Sequence, residues 1–197
     1  MKTYSLGELT PFLIGKGTER SCYRSPENAD RVVKLSRQEA FKQTRREIDY
    51  FHYLQQKRVP FTHIPAFREE VKVEGYIGFE QDLVKDAAGR VSVSLEDFWK
   101  RDPQIFIQHI SNWLEDLHAY LRSYNILPCD LNRNNILVQQ LEKETRLVLI
   151  DGLGNANWIR IEQYIPFLGR RKIDHKWKKF IERDINPLLV QAGAQPL

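Results

Sequence analysis

The apolar positions of this chain follow two rhythms. Between residues 11 and 35, short apolar runs such as F-L-I and R-V-V-K-L flank the turn formers S-P-E-N-A-D, so strands joined by turns are expected. From Ser36 the period lengthens. Ala40, Thr44, Glu47, Phe51 and Leu54 recur at spacings of four and three, which predicts a helix reaching about Lys57, before Pro60. Ser36 and Glu39 have the spacing of a capping box, so the helix is expected to open there. Residues 70–84 read as two strands broken at Gly75, and residues 105–124 as a long amphipathic helix burying Ile110, Trp113, Leu114, Leu117 and Leu121. Behind it, N-I-L-V-Q-Q-L and R-L-V-L-I flank the charged turn E-K-E-T, a β-hairpin pattern.

That hairpin changes how the polar stretch before it, L-P-C-D-L-N-R-N-N, is read. Taken alone, its acid and amides are ordinary turn formers. In an antiparallel pair, however, the start of the first strand and the end of the second lie at the same end. Asn135 precedes the first strand and Asp151 ends the second, so their side chains are expected to be neighbours, with Asp130 on the adjoining loop. Oxygen donors converging from separated positions suit a hard cation such as Mg²⁺, with substrate phosphates completing its shell.

Composition narrows the class. With 42% hydrophobic and 28% charged residues the chain is an ordinary globular protein. A net charge of +4 is compatible with a phosphate-bearing partner, and no nucleic-acid motif accompanies it. Cys22 and Cys129 form no disulfide framework, and the five histidines show no zinc-ligand spacing. The N-terminus lacks a signal peptide's apolar core, and no run approaches the roughly 20 apolar residues of a membrane span, so a cytoplasmic location is expected.

The first half supplies further candidates. Gly15-Lys16-Gly17 is a glycine turn between strands, Lys34 lies in an apolar strand, and Glu47 lies on the semi-apolar helix face. In this order, followed by Asp130-x4-Asn135 and Asp151-Gly152, they resemble a protein kinase-like fold. The wording of D-L-N-R-N-N-I-L-V and L-I-D-G-L-G is similar to the bacterial YrbL family, the PhoP regulatory network proteins. The resemblance, carried by residues 13–152, implies a bilobal α+β architecture. Residues 1–83 would form an N-lobe with an antiparallel sheet, and 84–197 a short, mainly helical C-lobe. It implies ATP and Mg²⁺ as cofactors. Gly15, Lys16, Gly17 and Thr18 would cover the phosphates, Lys34 would hold the α- and β-phosphates, and Glu47 would pair with Lys34. The adenine, between the lobes, would meet the backbone near Asp82 and Val84. Asp130 would be the catalytic-loop aspartate, and Asn135 and Asp151 the metal ligands.

The chain also departs from that pattern. Pro128 and Cys129 stand where protein kinases carry His-Arg, Asn132 replaces a lysine, and the phenylalanine of Asp-Phe-Gly is missing. Only 46 residues follow Asp151, with no Ala-Pro-Glu-like segment, so docking of a protein substrate is the weaker expectation. The leading reading is phosphoryl transfer to a hydroxyl on a small molecule, a glycan such as lipopolysaccharide, or a protein. The rivals are a pseudokinase acting as a regulatory binding module and a nucleotidyl transferase on the same scaffold. Finally, G-R-R-K-I-D-H-K-W-K-K-F-I-E-R-D reads as a terminal helix. Ile173, Trp177, Phe180, Ile181 and Ile185 form its inner face, while Arg171, Lys172, Lys176, Lys178, Lys179 and Arg183 form a basic remainder. That remainder is either solvated or in contact with an anionic partner.

Overall fold

The computed structural model describes residues 1–17, 20–154 and 164–197. It is a mixed α+β protein with a six-stranded sheet, a second three-stranded sheet and helices. The chain divides into two compact units, Met1–Phe61 with Pro65–Val84, and Thr62–Ile64 with Lys85–Leu197. No helix among the described residues is long and apolar enough to cross a membrane.

The first unit contains strands β1 (Lys2–Thr3), β2 (Leu13–Lys16), β3 (Arg20–Arg24), β4 (Arg31–Arg37), β5 (Phe67–Val73) and β6 (Tyr76–Asp82), with helices α1 (Leu6–Leu9) and α2 (Phe41–Gln56). The sheet order is β1-β5-β6-β4-β3-β2. Five strands pair antiparallel, and β1 adds to β5 in parallel. The periodicities explain this layering. Val33 and Leu35 of β4 join Tyr4, Leu9, Tyr23, Val71 and Val73 in a core on one sheet face. Residues alternate faces along a strand, so Lys34 and Ser36 look the other way, toward α2. The α2 stripe of Ile48, Phe51 and Leu54 is fully buried, with the Phe51 ring 5.4 Å from those of Phe67 and Phe79.

The expected capping box at Ser36 does not form. Ser36 continues β4, opposite Ile77 of β6, and its Oγ accepts hydrogen bonds from Thr44 Oγ1 (2.7 Å) and Arg20 Nε (3.3 Å). The β4–β6 ladder outcompetes a helix start there, and α2 begins at Phe41 after a short 3₁₀ turn. The first unit's capping box is Ser5–Glu8, where Glu8 Oε2 accepts from Ser5 N (2.7 Å) and Ser5 Oγ accepts from Glu8 N (3.3 Å).

The second unit contains β7 (Val93–Ser94), α3 (Leu95–Arg101), α4 (Pro103–Ser123), β8 (Ile136–Gln140), β9 (Thr145–Leu149), α5 (Pro166–Phe180), a π turn (Ile181–Ile185) and α6 (Asn186–Gln191). The expected hairpin forms, with Ile136 opposite Leu149 and Gln140 opposite Thr145, so Thr145 of the expected turn joins the second strand. The α4 stripe of Ile110, Trp113, Leu114, Leu117 and Leu121 is buried as its spacing predicts. His118 of α4 stacks on Trp177 of α5, centroids 4.7 Å apart and 10° from parallel. The short helix α3, which the apolar periodicity does not reveal, is capped by Ser94 and carries acids in its first turn and bases in its last. The His63 segment belongs here too. Leu149 N donates to His63 O (2.9 Å), and His63 Nδ1 donates to Leu147 O (2.8 Å).

Candidate functional site

In the second unit, two backbone stretches run side by side at the open end of the hairpin. Cys129 N donates to Gly152 O (2.5 Å), Gly154 N to Leu127 O (2.9 Å), and Ile150 N to Asn135 O (2.9 Å). Gly152 makes this approach feasible. Its φ is +70°, and a Cβ there would lie 2.9 Å from both Asp130 N and Asp130 O. The loop carrying Asp130 is therefore fastened to the turn carrying Asp151.

Within that loop the amides organise the acid. Asn132 Oδ1 accepts from Asn134 N (3.0 Å) and Asn135 N (3.1 Å), an Asx-type turn. Asn132 Nδ2 then donates to Asp130 Oδ2 (2.7 Å), and Asn135 Nδ2 donates to the same oxygen (3.1 Å) and to Asp130 O (3.3 Å). Asp130 is exposed, and among the described residues both donors sit on Oδ2 rather than Oδ1. Asn135 spends its amide nitrogen on Asp130, which leaves its amide oxygen as the ligand-type atom. The Asp151 carboxylate, half-buried, takes Gly152 N on Oδ1 (2.8 Å).

Asp151 and the Asn135 oxygen are hard donors, the kind Mg²⁺ takes when substrate oxygens and water complete its shell. They do not form an all-protein cage. No group of three His, Cys, Asp or Glu that could hold a metal occurs among the described residues. The donor set fits a metal brought in together with a phosphate-bearing ligand.

Lys34 and Glu47 lie in the first unit. Gly15, Cys22, Lys34 and Phe79 stand on one rung across four strands, hence on one face. Lys34 is buried, at 4% exposure, with Nζ 5.9 Å from the Phe79 ring centre. Arg20, on the same sheet face, places Nη1 2.7 Å from Glu47 Oε2 and its guanidinium carbon 5.8 Å from Phe79. Two cations thus share one aromatic ring beside a buried carboxylate. Arg20 was not among the residues singled out from the sequence. Its signal was parity: it lies an even number of rungs from Cys22, on the Lys34 side of the sheet. Gly78 keeps this strand in place. A Cβ there would meet Lys34 O at 2.0 Å, so β6 can lie against β4 at this rung only with glycine.

Lys16 stands one rung on, opposite Ser21, and therefore on the other face. It lines a cleft of about 430 Å³ with Tyr23, Leu35 and Arg37. The Lys16 ammonium is therefore not on the Lys34 face. Gly17 N closes the turn on Arg20 O (2.7 Å), and Thr18 lies outside the described residues. At the end of β6, Asp82 N and Leu83 N donate to Ala66 O (2.9 Å) and Asp30 O (2.8 Å), while the Asp82 carboxylate forms a bidentate pair with Arg68. Of the expected adenine contacts, Asp82 is thus already committed through its amide and side chain, whereas Val84 follows those bonds as a buried residue.

The model of the PhoP regulatory network protein YrbL family matches residues 9–184. The chain belongs to that family. It is also 28% identical over 200 residues to proteins named "Uncharacterized protein YrbL" from Escherichia coli K12 and Shigella flexneri. Each alignment covers 97% of this chain and 92% of the relative. The matched range includes the D-L-N-R-N-N-I-L-V and L-I-D-G-L-G stretches.

The loop also has partners in α5 and the π turn that the basic composition did not identify. Lys176 Nζ donates to Cys129 O and Arg183 Nη2 to Leu131 O, both at 2.6 Å. The carbonyls on either side of Asp130 are each held by a cation. The signal was present as K176-x-x-K179-F180-x-x-R183, a helical stripe at spacings of three, four and seven.

Proposed function

We propose that this YrbL-family protein has a kinase-like fold and is an ATP- and Mg²⁺-dependent phosphotransferase acting on a hydroxyl acceptor. The observation that carries the reading is the Asp130 carboxylate. Asn132 and Asn135 fix its Oδ2, which orients Oδ1 as an acceptor for an incoming hydroxyl, next to the Asp151-Gly152 turn. A binding module gains nothing from an exposed acid restrained in this way.

In this reading Asp130 Oδ1 accepts the hydrogen of the substrate hydroxyl and takes the proton as the hydroxyl oxygen bonds to the γ-phosphorus. The bond from that phosphorus to the bridging oxygen breaks, and ADP leaves with the electron pair. Asn135 Oδ1 and Asp151 are the residues that would hold Mg²⁺, which when bound would supply positive charge to offset that on the transferred group. By the same reading Lys34 would hold triphosphate oxygens, and Glu47 with Arg20 keeps the buried charges balanced around Phe79. With the Asp82 and Leu83 amides committed, a base reading this segment would use Val84 N–H or the carbonyls.

One observation favours the pseudokinase reading. Arg20 occupies the Glu47 carboxylate at 2.7 Å, so Lys34 has a rival for it. Turnover decides between them. Phosphoryl transfer from ATP, followed with a pool of hydroxyl acceptors, should be abolished by Asp130→Ala while nucleotide binding persists. Equal turnover in wild type and Asp130→Ala would remove the catalytic assignment.

A further inference from the structure

We infer that the pocket beside Asp130 is an anion site, and that the hydroxyl compound phosphorylated here is itself a small anion bearing a phosphate or carboxylate group. This inference rests on the phosphotransferase reading. The pocket has a volume of about 240 Å³ and is lined by Cys129, Asp130, Leu131 and, from α5 and the π turn, His175, Lys176, Lys179, Phe180 and Arg183. Asp130 is its one acid, set against two lysines, an arginine and a histidine. Lys176 and Arg183 bond neutral carbonyls, so those bonds leave their charges available, although Arg183 Nε also contacts Asp184 Oδ2 at 2.6 Å. Lys179 and His175 are exposed at the rim, and Phe180 is the buried floor.

Bringing a hydroxyl compound to an exposed carboxylate is unfavourable when that compound is negative, unless cations meet its charge. The stripe Lys176, Lys179 and Arg183 supplies those cations within the pocket that Asp130 lines. It also restores, from another element, a cation near the position where Asn132 replaces lysine. The π turn at Ile181–Ile185 adds to the case, because such bulges occur often at functional sites and this one carries Arg183 to the loop. The volume corresponds to roughly eight waters, enough for a small phosphorylated or carboxylated molecule and too small for a folded segment.

Calorimetric titration with inorganic phosphate, and with glycerol 3-phosphate against glycerol, tests the inference. Both phosphates should bind wild type and glycerol should not. Lys179→Ala should weaken phosphate binding roughly tenfold or more, as expected for losing a charge-assisted contact. Lys178→Ala removes the same charge from an exposed residue outside the pocket and should leave binding unchanged. Equal weakening by both variants would reduce the effect to net charge and overturn the site, as would the absence of phosphate binding. Lys179-dependent binding to phosphatidylglycerol vesicles without binding of free phosphate would overturn the small-anion acceptor. Stabilisation of wild type by MgATP is measured in parallel. Phosphate binding without it would overturn the phosphotransferase reading and the acceptor role, and leave the anion pocket standing.

Discussion

At the scale of single residues, the account turns on Asp130. Its Oδ2 is held by two amides, so replacing the acid by Asn should leave the loop intact and remove only the proton acceptor. Asp130→Asn should lower phosphoryl transfer by about 10²–10⁴-fold, the usual worth of a general base, with MgATP affinity unchanged. Glu47 makes a stability prediction. Its side chain is 6% exposed and bonded to Arg20, and removing one partner of a buried pair costs about 3–5 kcal/mol. Urea denaturation of Glu47→Ala should show a loss at the lower end of that range, because Arg20 retains its bond to Ser36. A loss below about 1 kcal/mol would mean the pair behaves as a surface contact. His63 sets a pH dependence. Burial drives its imidazole below the ordinary histidine value and outweighs the bond to Leu147 O, which favours the charged ring. Burial likewise lowers His118 against the pull of Asp174. A group with a lowered folded pKa contributes stability above its unfolded value and loses it as pH falls. Stability should therefore decline as pH drops below about 6.5, and His63→Asn should flatten that decline.

At the scale of elements, the glycine after Asp151 is a demanding position beside the candidate site. Gly152→Ala combines a positive φ with contacts of 2.9 Å to the Asp130 backbone. It should destabilise the protein by roughly 2 kcal/mol or more and loosen the loop. Thermal unfolding checks the first effect, and loss of turnover beyond that expected from stability checks the second. Elements with strong periodicity were legible from sequence: the α2 and α4 stripes and the β8–β9 hairpin rest on local spacing alone. Ser36 misled because a capping box is a local pattern, whereas the seven-residue pairing of β4 with β6 is not. The same pattern at Ser5–Glu8, in a segment without such a ladder, does cap a helix. The loop-holding role of Lys176 and Arg183 was hidden for a related reason. A basic stripe reads the same whether it faces water or a row of carbonyls, and the loop's position depends on pairing with Gly152, far from the helix in sequence.

At the scale of the whole molecule, the α+β class and family membership were both within reach of the sequence, since each rests on motifs spread across most of the chain. The assignment of Thr62–Ile64 to the second unit was not, because it depends on His63 bonding to β9, more than 80 residues on. The central claim, that Asp130, Asn135 and Asp151 serve a metal-bound nucleotide, is tested most directly by thermal unfolding with ATP, with and without Mg²⁺, in wild type and Asp151→Ala. A nucleotide at 100 times its dissociation constant adds about 2.7 kcal/mol of stability. The account predicts a Mg²⁺-dependent upward shift of the melting temperature in wild type that disappears in Asp151→Ala. No shift with any nucleotide, or an identical shift in the variant, would contradict it.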